Sequence, residues 1–431
     1  MSTPTKRIAF HTMGCKLNFS ESSTISRDIK DQGFEQVAYQ SEADIYVLNT
    51  CSVTENADKE ARKLIRQAKR RNPKSSIVVI GCYAQLKPND IAAIDGVDIV
   101  LGTKEKFNLI NHINTIDFNG DTKIMQSEID HVHTFASSYS SGERTRSFLK
   151  IQDGCDYTCS FCTIPLARGR SRNDTIDSTM KMAQEVAETK TREIVLTGVN
   201  IGDFGNGSKE TFYDLMKELD KLEKIDRIRI SSIEPNLLTD QIIEYCAHSE
   251  KFMPHFHVPL QSGSNKTLKN MKRRYKREYY EGRVKKIKSN IPDACIGADI
   301  IVGFPGETED DFLETYNFLN ELNISYLHVF TFSERLNTVA FEMCEVVPKV
   351  IKTERRKMLH ILSDKKQRYF HDQFINKNRP VLFESIKNGK ILGHTDNYIQ
   401  VQVKTGYNFI NTIQDVKLID NQNTFVVGDI V

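Results

Sequence analysis

Short apolar, β-rich runs fall at residues 8–12, 45–49, 77–80 and 97–101, and helical stretches such as 20–32 and 57–70 lie between them. That alternation predicts an open parallel α/β sheet. Residues 118–146 are polar and lack periodicity; with Asn119-Gly120 and a Ser-Ser-Tyr-Ser-Ser-Gly run they read as a linker. From Phe148 the βα pattern resumes, with strand candidates at 148–152, 193–197, 228–232, 255–259, 296–302 and 326–331. Six such units predict a partial (β/α)6 barrel whose site lies at the C-terminal ends of its strands. A basic helix after Pro348 closes this part. The last sixty residues differ: β-rich runs at 381–386, 390–394 and 398–403 are separated by Asn388-Gly389 and Asp396-Asn397, with further runs near 415–418 and 424–427. These hairpin signals predict a small antiparallel β-barrel. The fold class is α/β, divided into an N-terminal domain at 5–117, a linker at 118–146, a central domain at 147–371 and a terminal barrel at 372–431.

Composition narrows the setting. The 431 residues are 39% hydrophobic and 27% charged, an ordinary balance for a soluble protein. No signal-peptide core opens the chain, and no apolar run approaches the roughly 20 residues of a membrane span. A cytoplasmic location without membrane association is expected, where the nine cysteines serve as ligands or nucleophiles rather than disulfides. Net charge is only +2, yet basic residues concentrate in three stretches. Residues 59–74 hold eight Lys or Arg against Glu60, residues 266–288 eleven against two acids, and residues 349–379 ten against three. One such run is commonly a solvated helix face; three in a nearly neutral chain point to a polyanion.

The densest chemistry is Cys155-Asp-Tyr-Thr-Cys159-Ser-Phe-Cys162, directly after a predicted strand. Three thiolates within eight residues suit an iron–sulfur cluster or zinc. Zinc closed by four ligands wants another cysteine nearby, and the next is Cys246. Three ligands on a four-iron cluster leave one iron open. This CxxxCxxC spacing, placed after the first strand of a six-unit βα pattern, resembles the radical S-adenosylmethionine (SAM) superfamily. In that family the open iron holds the amino and carboxylate groups of SAM, and electron transfer cleaves SAM to methionine and a 5′-deoxyadenosyl radical.

Cys15, Cys51 and Cys82 each follow a strand of the N-terminal sheet, 36 and 31 residues apart. In a parallel sheet those strand ends share one crevice. Singly each is a small buried residue; together they can form a second three-ligand site. Cys246, Cys295 and Cys344 match no motif and read as packing residues. The eleven histidines form no metal pattern, and His255 and His257 read as structural.

The whole chain resembles the methylthiotransferases of the radical SAM superfamily. The resemblance rests on Gly14-Cys15-Lys-Leu-Asn18, Asn49-Thr-Cys51-Ser-Val-Thr54, Gly81-Cys82-Tyr-Ala-Gln85, the 155–162 triad, Ile164-Pro165 with Arg168-Gly169, and Leu196-Thr-Gly198-Val-Asn200. It continues through Pro259-Leu-Gln261-Ser-Gly263, Ile301-Val-Gly303-Phe-Pro305-Gly306-Glu307-Thr308 and Ser333-Glu-Arg335. The run Arg170-Ser171-Arg172 departs from the family in being more tightly spaced.

The resemblance implies two 4Fe-4S clusters, an auxiliary one on Cys15, Cys51 and Cys82 and a SAM-cleaving one on Cys155, Cys159 and Cys162. It implies replacement of C–H by C–S–CH₃, with one SAM methylating a sulfur species and a second giving the radical. Gly198 and Asn200 would meet the SAM amino group, Gln261 and Ser262 the ribose, Ile301 and Gly303 the adenine, with Ser232 and Glu234 beside the cofactor. The terminal barrel resembles a TRAM RNA-binding domain. The implied partners are tRNA, at the anticodon stem-loop around A37, an electron donor of flavodoxin or ferredoxin type, and a sulfur donor. The Ser231-Ser232-Ile-Glu234-Pro235 run resembles the branch acting on N6-threonylcarbamoyladenosine rather than isopentenyl-adenosine. Arg229 and Arg335 are possible partners for its carboxylate, and either can equally be a structural ion-pair residue. A cluster-bearing RNA-binding module without catalysis, or a zinc protein, are the other classes this composition admits.

Overall fold

The computed structural model describes residues 5–52, 55–115, 120–141 and 145–431. The N-terminal sheet has six strands, ordered Glu35–Val37, Arg7–Thr12, Ile45–Thr50, Ser76–Gly81, Ile99–Leu101 and Lys123–Met125, all parallel. Ile45–Thr50 and Ser76–Gly81 are buried along their whole length. That explains their unbroken apolar runs: both faces of a central parallel strand are covered by helices. Lys16–Asp31 and Glu55–Arg71 are two of those helices.

The two sheet-edge strands were illegible because they are short and exposed. One of them, Lys123–Met125, lies inside the stretch read as a linker, as does Ser138–Tyr139, which pairs antiparallel with Arg146–Lys150. The polar side chains that suggested a linker are instead used in packing. Tyr139 N donates to Thr24 Oγ1 at 3.2 Å, Ser141 N to Ser23 Oγ at 3.1 Å, and the Arg27 guanidinium lies 4.0 Å from the Tyr139 ring centre. The proposed boundary at 117/118, Asn119, Gly142, and Val53-Thr54 of the Cys51 motif lie outside the described residues.

Six parallel strands follow: Arg146–Lys150, Glu193–Thr197, Arg227–Ile230, His255–His257, Cys295–Val302 and Tyr326–Thr331. The first three and the last three form separate ladders; among the described residues they are linked by the single pairings Ile228↔Phe252, just before the fourth strand, and Ser232↔His257. The fourth strand is three residues long because Pro254 and Pro259 flank it and neither can donate to a ladder. The result is an open, partial barrel around a core that includes Ile228, Phe256 and Ile296. Several helices packed around it start at a hydroxyl cap: Thr175, Thr211, Thr239, Ser264 and Thr308 each accept a hydrogen bond from the backbone three residues on.

The terminal unit is a closed five-stranded barrel of Asn378–Lys387, Lys390–Thr395, Gln400–Lys404, Val426–Ile430 and Ile413–Asn421, in that ring order. Asn388 and Gly389 both take positive φ, as the tight hairpin turn requires. One correction is topological. A ring with an odd number of strands cannot alternate direction throughout, and here Gln400–Lys404 and Val426–Ile430 run parallel. This barrel sits beneath the central strands. Arg227 donates to Pro380 O at 2.8 Å and His394 O at 3.2 Å, and Arg379 pairs with Asp293 at 2.6 Å and Asp396 at 2.7 Å. Among the described residues no helix is long and apolar enough to cross a membrane.

Candidate functional site

Cys15, Cys51 and Cys82 leave the C-terminal ends of Arg7–Thr12, Ile45–Thr50 and Ser76–Gly81, three neighbouring strands. Gly14, at φ +89°, makes the approach of two of them possible: a Cβ there would lie 2.7 Å from the Cys51 Cβ. Asn18 ties the loops together, donating to Met13 O at 2.9 Å and Thr50 O at 3.2 Å. Cys82 begins a short helix and is buried, which pushes its thiol up; Arg168 pulls the other way.

Cys155, Cys159 and Cys162 occupy the loop after Arg146–Lys150. Gly154, at φ +71°, turns the chain where a Cβ would strike the Arg170 carbonyl at 1.9 Å. Ser160 and Phe161 fasten the loop. Ser160 N donates to Met271 O at 3.1 Å, its Oγ donates to Asn270 O at 2.8 Å, and its carbonyl accepts from Ala340 N at 2.8 Å. Phe161 packs against the cluster of Met271, Phe304 and Phe332. Each of the three sulfurs accepts one hydrogen bond: Cys155 from Tyr157 N at 3.4 Å, Cys162 from Ile164 N at 3.4 Å, and Cys159 from the Arg273 guanidinium at 3.2 Å. Burial pushes the Cys155 and Cys162 thiols up to about 12. Thiolates form there when a metal centre supplies the positive charge, and the N–H donors then stabilise the sulfur.

The donor sets fit clusters better than zinc. A tetrahedral zinc with Zn–S near 2.3 Å holds its sulfurs about 3.8 Å apart. Among the described residues no three cysteine sulfurs lie within 4.8 Å of one another; the three donors that do are His257, Asp299 and His328.

A buried ion network joins the two triads. Glu21 accepts from Lys106 at 2.6 Å, Lys150 at 3.1 Å and Arg168 at 3.0 Å; Asp153 accepts from Arg168 at 2.9 Å, Lys150 at 2.8 Å and Arg172 at 3.0 Å. Arg168 also donates to Asn18 Oδ1 at 2.6 Å. Burial alone would raise the Glu21 carboxyl, yet Arg168, Lys106 and Lys150 hold it well below the usual carboxylate range. Arg168 interacts electrostatically with both Cys82 and Cys15, so the excess positive charge of the network faces the N-terminal thiols.

The expected SAM-side residues separate into groups. Asn200 is buried, and neither its Oδ1 nor its Nδ2 has a protein partner. Such an orphaned amide fits a bound polar group. Glu234 pairs with Arg273, which in turn reaches Cys159. Ile301 packs on the same apolar cluster as Phe161, and Gly303 N donates to Glu307 Oε2 at 2.9 Å. Gly198 and Ser232 border the large cavity described below. Gln261 stands at φ +76°, its N–H donating to Asp299 O at 2.7 Å. Ser262 is buried, its hydroxyl 3.1 Å from Thr315 Oγ1 and accepting from Ser264 N at 3.2 Å.

The two arginines are held in ion pairs. Arg229 is buried and clasped by Glu193 at 2.9 and 3.0 Å, with a further bond to Asp396 O at 3.1 Å. Arg335 is buried against Asp58 at 2.9 Å, and Asp58 accepts from Ser52 beside Cys51. Neither borders the cavity, which favours the structural ion-pair reading of both. Cys344 is exposed, so it is not a packing residue; Cys246 and Cys295 are buried.

A cavity of about 1160 Å³ runs from Cys15 and Cys51 down the partial barrel to Tyr398 of the terminal barrel. Six of the eleven histidines border it: His11, His255, His257, His328, His371 and His394. Ser232 Oγ and His257 Nδ1 lie 2.6 Å apart, and Asp299 Oδ1 lies 2.9 Å from His257 Nε2 and 3.3 Å from His328 Nδ1. Lys16 is the one lysine or arginine on the described wall. Partial loss of hydration in the cavity and the Arg146 and Arg229 guanidiniums push its amine down, against the pull of Glu193 and Cys15, although the side chain is solvent-exposed. Lys16, Glu21, Lys106, Lys150 and Arg273 are site residues the sequence did not single out. Arg273 was hidden in a basic run, Glu21, Lys106 and Lys150 depend on partners distant in the chain, and Lys16 on the cavity it borders.

Two family descriptions match the chain: the uncharacterized protein family UPF0004 over residues 7–102, and the radical SAM superfamily over residues 149–319. The chain is 41% identical over 424 residues to the threonylcarbamoyladenosine tRNA methylthiotransferase MtaB of Bacillus subtilis, covering 96% of this chain and 93% of that one. It is 32% identical over 425 residues to a tRNA-2-methylthio-N(6)-dimethylallyladenosine synthase of Endomicrobium trichonymphae, covering 97% and 99%. In fold it is similar to the radical SAM methyltransferase TsrM of Kitasatospora setae, with a TM-score of 0.57 at 13% identity over 78% of this chain and 77% of the other.

Proposed function

The chain belongs to the radical SAM family of tRNA methylthiotransferases, and from that premise we propose that it converts N6-threonylcarbamoyladenosine at position 37 of tRNA to its 2-methylthio derivative. The adenine C2–H becomes C2–S–CH₃. The observation that carries the reading is the pair of three-cysteine sites on strand ends, locked to each other through Arg168, Glu21 and Asp153. When bound, two 4Fe-4S clusters and SAM supply the sulfur, the methyl group and the radical that an inert C–H bond requires. Cys15, Cys51 and Cys82 would hold the auxiliary cluster, and Cys155, Cys159 and Cys162 the one facing SAM. Asn200, Gly198 and Glu234 would orient SAM, with Ile301 and Phe161 excluding water.

The threonylcarbamoyl group is favoured over an isopentenyl group because the cavity wall is polar, carrying histidines, Lys16, Ser232 and Asp299, and a polar group with a carboxylate suits it better than an apolar tail. The partners follow: the anticodon stem-loop of tRNA, an electron donor of flavodoxin or ferredoxin type, and a sulfur source. A TRAM-like role in holding RNA fits the terminal barrel, and a cytoplasmic setting fits the substrate.

The test is anaerobic reconstitution followed by metal analysis and nucleoside mass spectrometry. About eight irons per chain and no stoichiometric zinc are expected from two four-iron clusters, with about four irons left after Cys155, Cys159 and Cys162 are changed to Ala. Reduced enzyme with SAM should yield the methylthio product from threonylcarbamoyl-adenosine tRNA. A product from isopentenyl-adenosine tRNA alone would reassign the substrate.

A further inference from the structure

Lys16 follows Cys15 and opens the helix Lys16–Asp31. Its side chain is solvent-exposed where it borders the cavity. Lys106, Lys150, Arg168 and Arg229 are all clasped by carboxylates. Among the described residues Lys16 has no such partner. The two acids on the cavity wall are Glu60 and Asp299, and neither pairs with it; Asp299 is bonded to His257 and His328. The charges that act most strongly on the amine from the surrounding strands are Arg146 and Arg229, which repel it, and Glu193, which is already bonded to Arg229. The helix it opens has no acid in its first turn, and Cys15 gives no side-chain cap. The positive end of that helix therefore adds to the same field.

An ammonium without a carboxylate partner, set in a locally positive field, draws an anion to it, and here it lies on the wall of a cavity large enough to admit one. Resting on the function proposed above, we propose that Lys16 determines specificity by binding the carboxylate of the threonylcarbamoyl group. The bond is charge-assisted and lost with any uncharged N6 substituent. Lys16 thus takes the role the sequence suggested for Arg229 and Arg335.

The experiment uses reconstituted full-length enzyme and two stem-loop RNAs, one bearing N6-threonylcarbamoyladenosine and one bearing the same group with its carboxylate converted to a primary amide. Wild-type enzyme should bind the carboxylate form about tenfold or more tightly, the range of a hydrogen bond to a charged group. Lys16→Met should bring the ratio close to one, and Lys16→Arg should restore most of it. Iron content and thermal melting check that each variant is folded, and Lys16→Gln replaces Lys16→Met if the latter is not. An undiminished ratio in the folded neutral variant overturns the proposal, as does a wild-type enzyme that makes product without discriminating the two RNAs. Absence of any methylthio product from threonylcarbamoyl-adenosine tRNA would instead defeat the function itself.

Discussion

Glu21 has no exposed surface and answers to three cations from outside its own helix. Removing its charge leaves Lys106, Lys150 and Arg168 under-compensated. Glu21→Gln should lower stability by about 3–5 kcal/mol, the cost of breaking a buried ion pair from one side. Urea unfolding followed by circular dichroism measures it; a loss well under 1 kcal/mol would show the network to be dispensable. Glu193 gives a pH dependence. Burial alone would raise its carboxyl, but Arg229, with Arg146 and Arg227 behind it, lowers it from 4.5 to about 2. The folded chain thus refuses a proton that the unfolded chain accepts, so this contribution is complete above about 4.5 and fades as pH falls towards 2. Glu193→Gln should flatten the acid limb of a stability–pH profile; an unchanged slope across that window contradicts the assignment. The cysteines were legible because spacing and strand ends are local properties. Arg229 and Arg335 were not, because their partners Glu193 and Asp58 lie 36 and 277 residues away. A charge read in sequence does not say whether it is already neutralised.

The basic stretches make the same point for elements. In 266–288, Lys266, Arg273, Arg277, Arg283, Lys285 and Lys286 are paired with acids, most of them on neighbouring helices. Six of the eleven cations of that stretch are thus neutralised. On Glu55–Arg71, Arg66 and Arg70 are exposed, without acidic partners among the described residues, and flank a shallow concavity with Pro73. Arg66→Glu with Arg70→Glu should weaken tRNA binding and reduce the log–log salt slope by about two, one per lost phosphate contact. Lys285→Glu with Lys286→Glu should change it much less. Equal effects from both pairs would mean that local pairing does not decide which basic helix meets RNA. Strands and helices of the central unit were legible from alternation, and their starts from Thr and Ser caps. Residues 120–141 were not, since they are held in part by serine and threonine contacts with another helix, which leave no period in the sequence.

At the scale of the whole molecule, three units with different apolar patterns were legible, but the cavity they enclose was not, because Cys15, His257 and Tyr398 reach it from all three. The terminal barrel is part of that enclosure. Deleting residues 372–431 removes the carbonyls of Pro380, His394 and Asp396 from the buried Arg227 and Arg229, and takes the cavity floor at His394 and Tyr398 with them. The truncated chain should therefore melt well below the intact one, as well as bind tRNA less tightly; an unchanged melting temperature would show the barrel to be a passive appendage. Its odd strand count carries a further consequence. The parallel joint has two paired positions, Val401↔Val426 and Gln402↔Val427, against five between Lys390–Thr395 and Gln400–Lys404. Opened there, the ring unrolls into a wholly antiparallel ribbon whose two raw borders are Gln400–Lys404 and Val426–Ile430. Both borders are half apolar and ready to recruit another chain's backbone, so on heating these enzymes should clump through strand exchange at this joint before their iron-binding halves come apart.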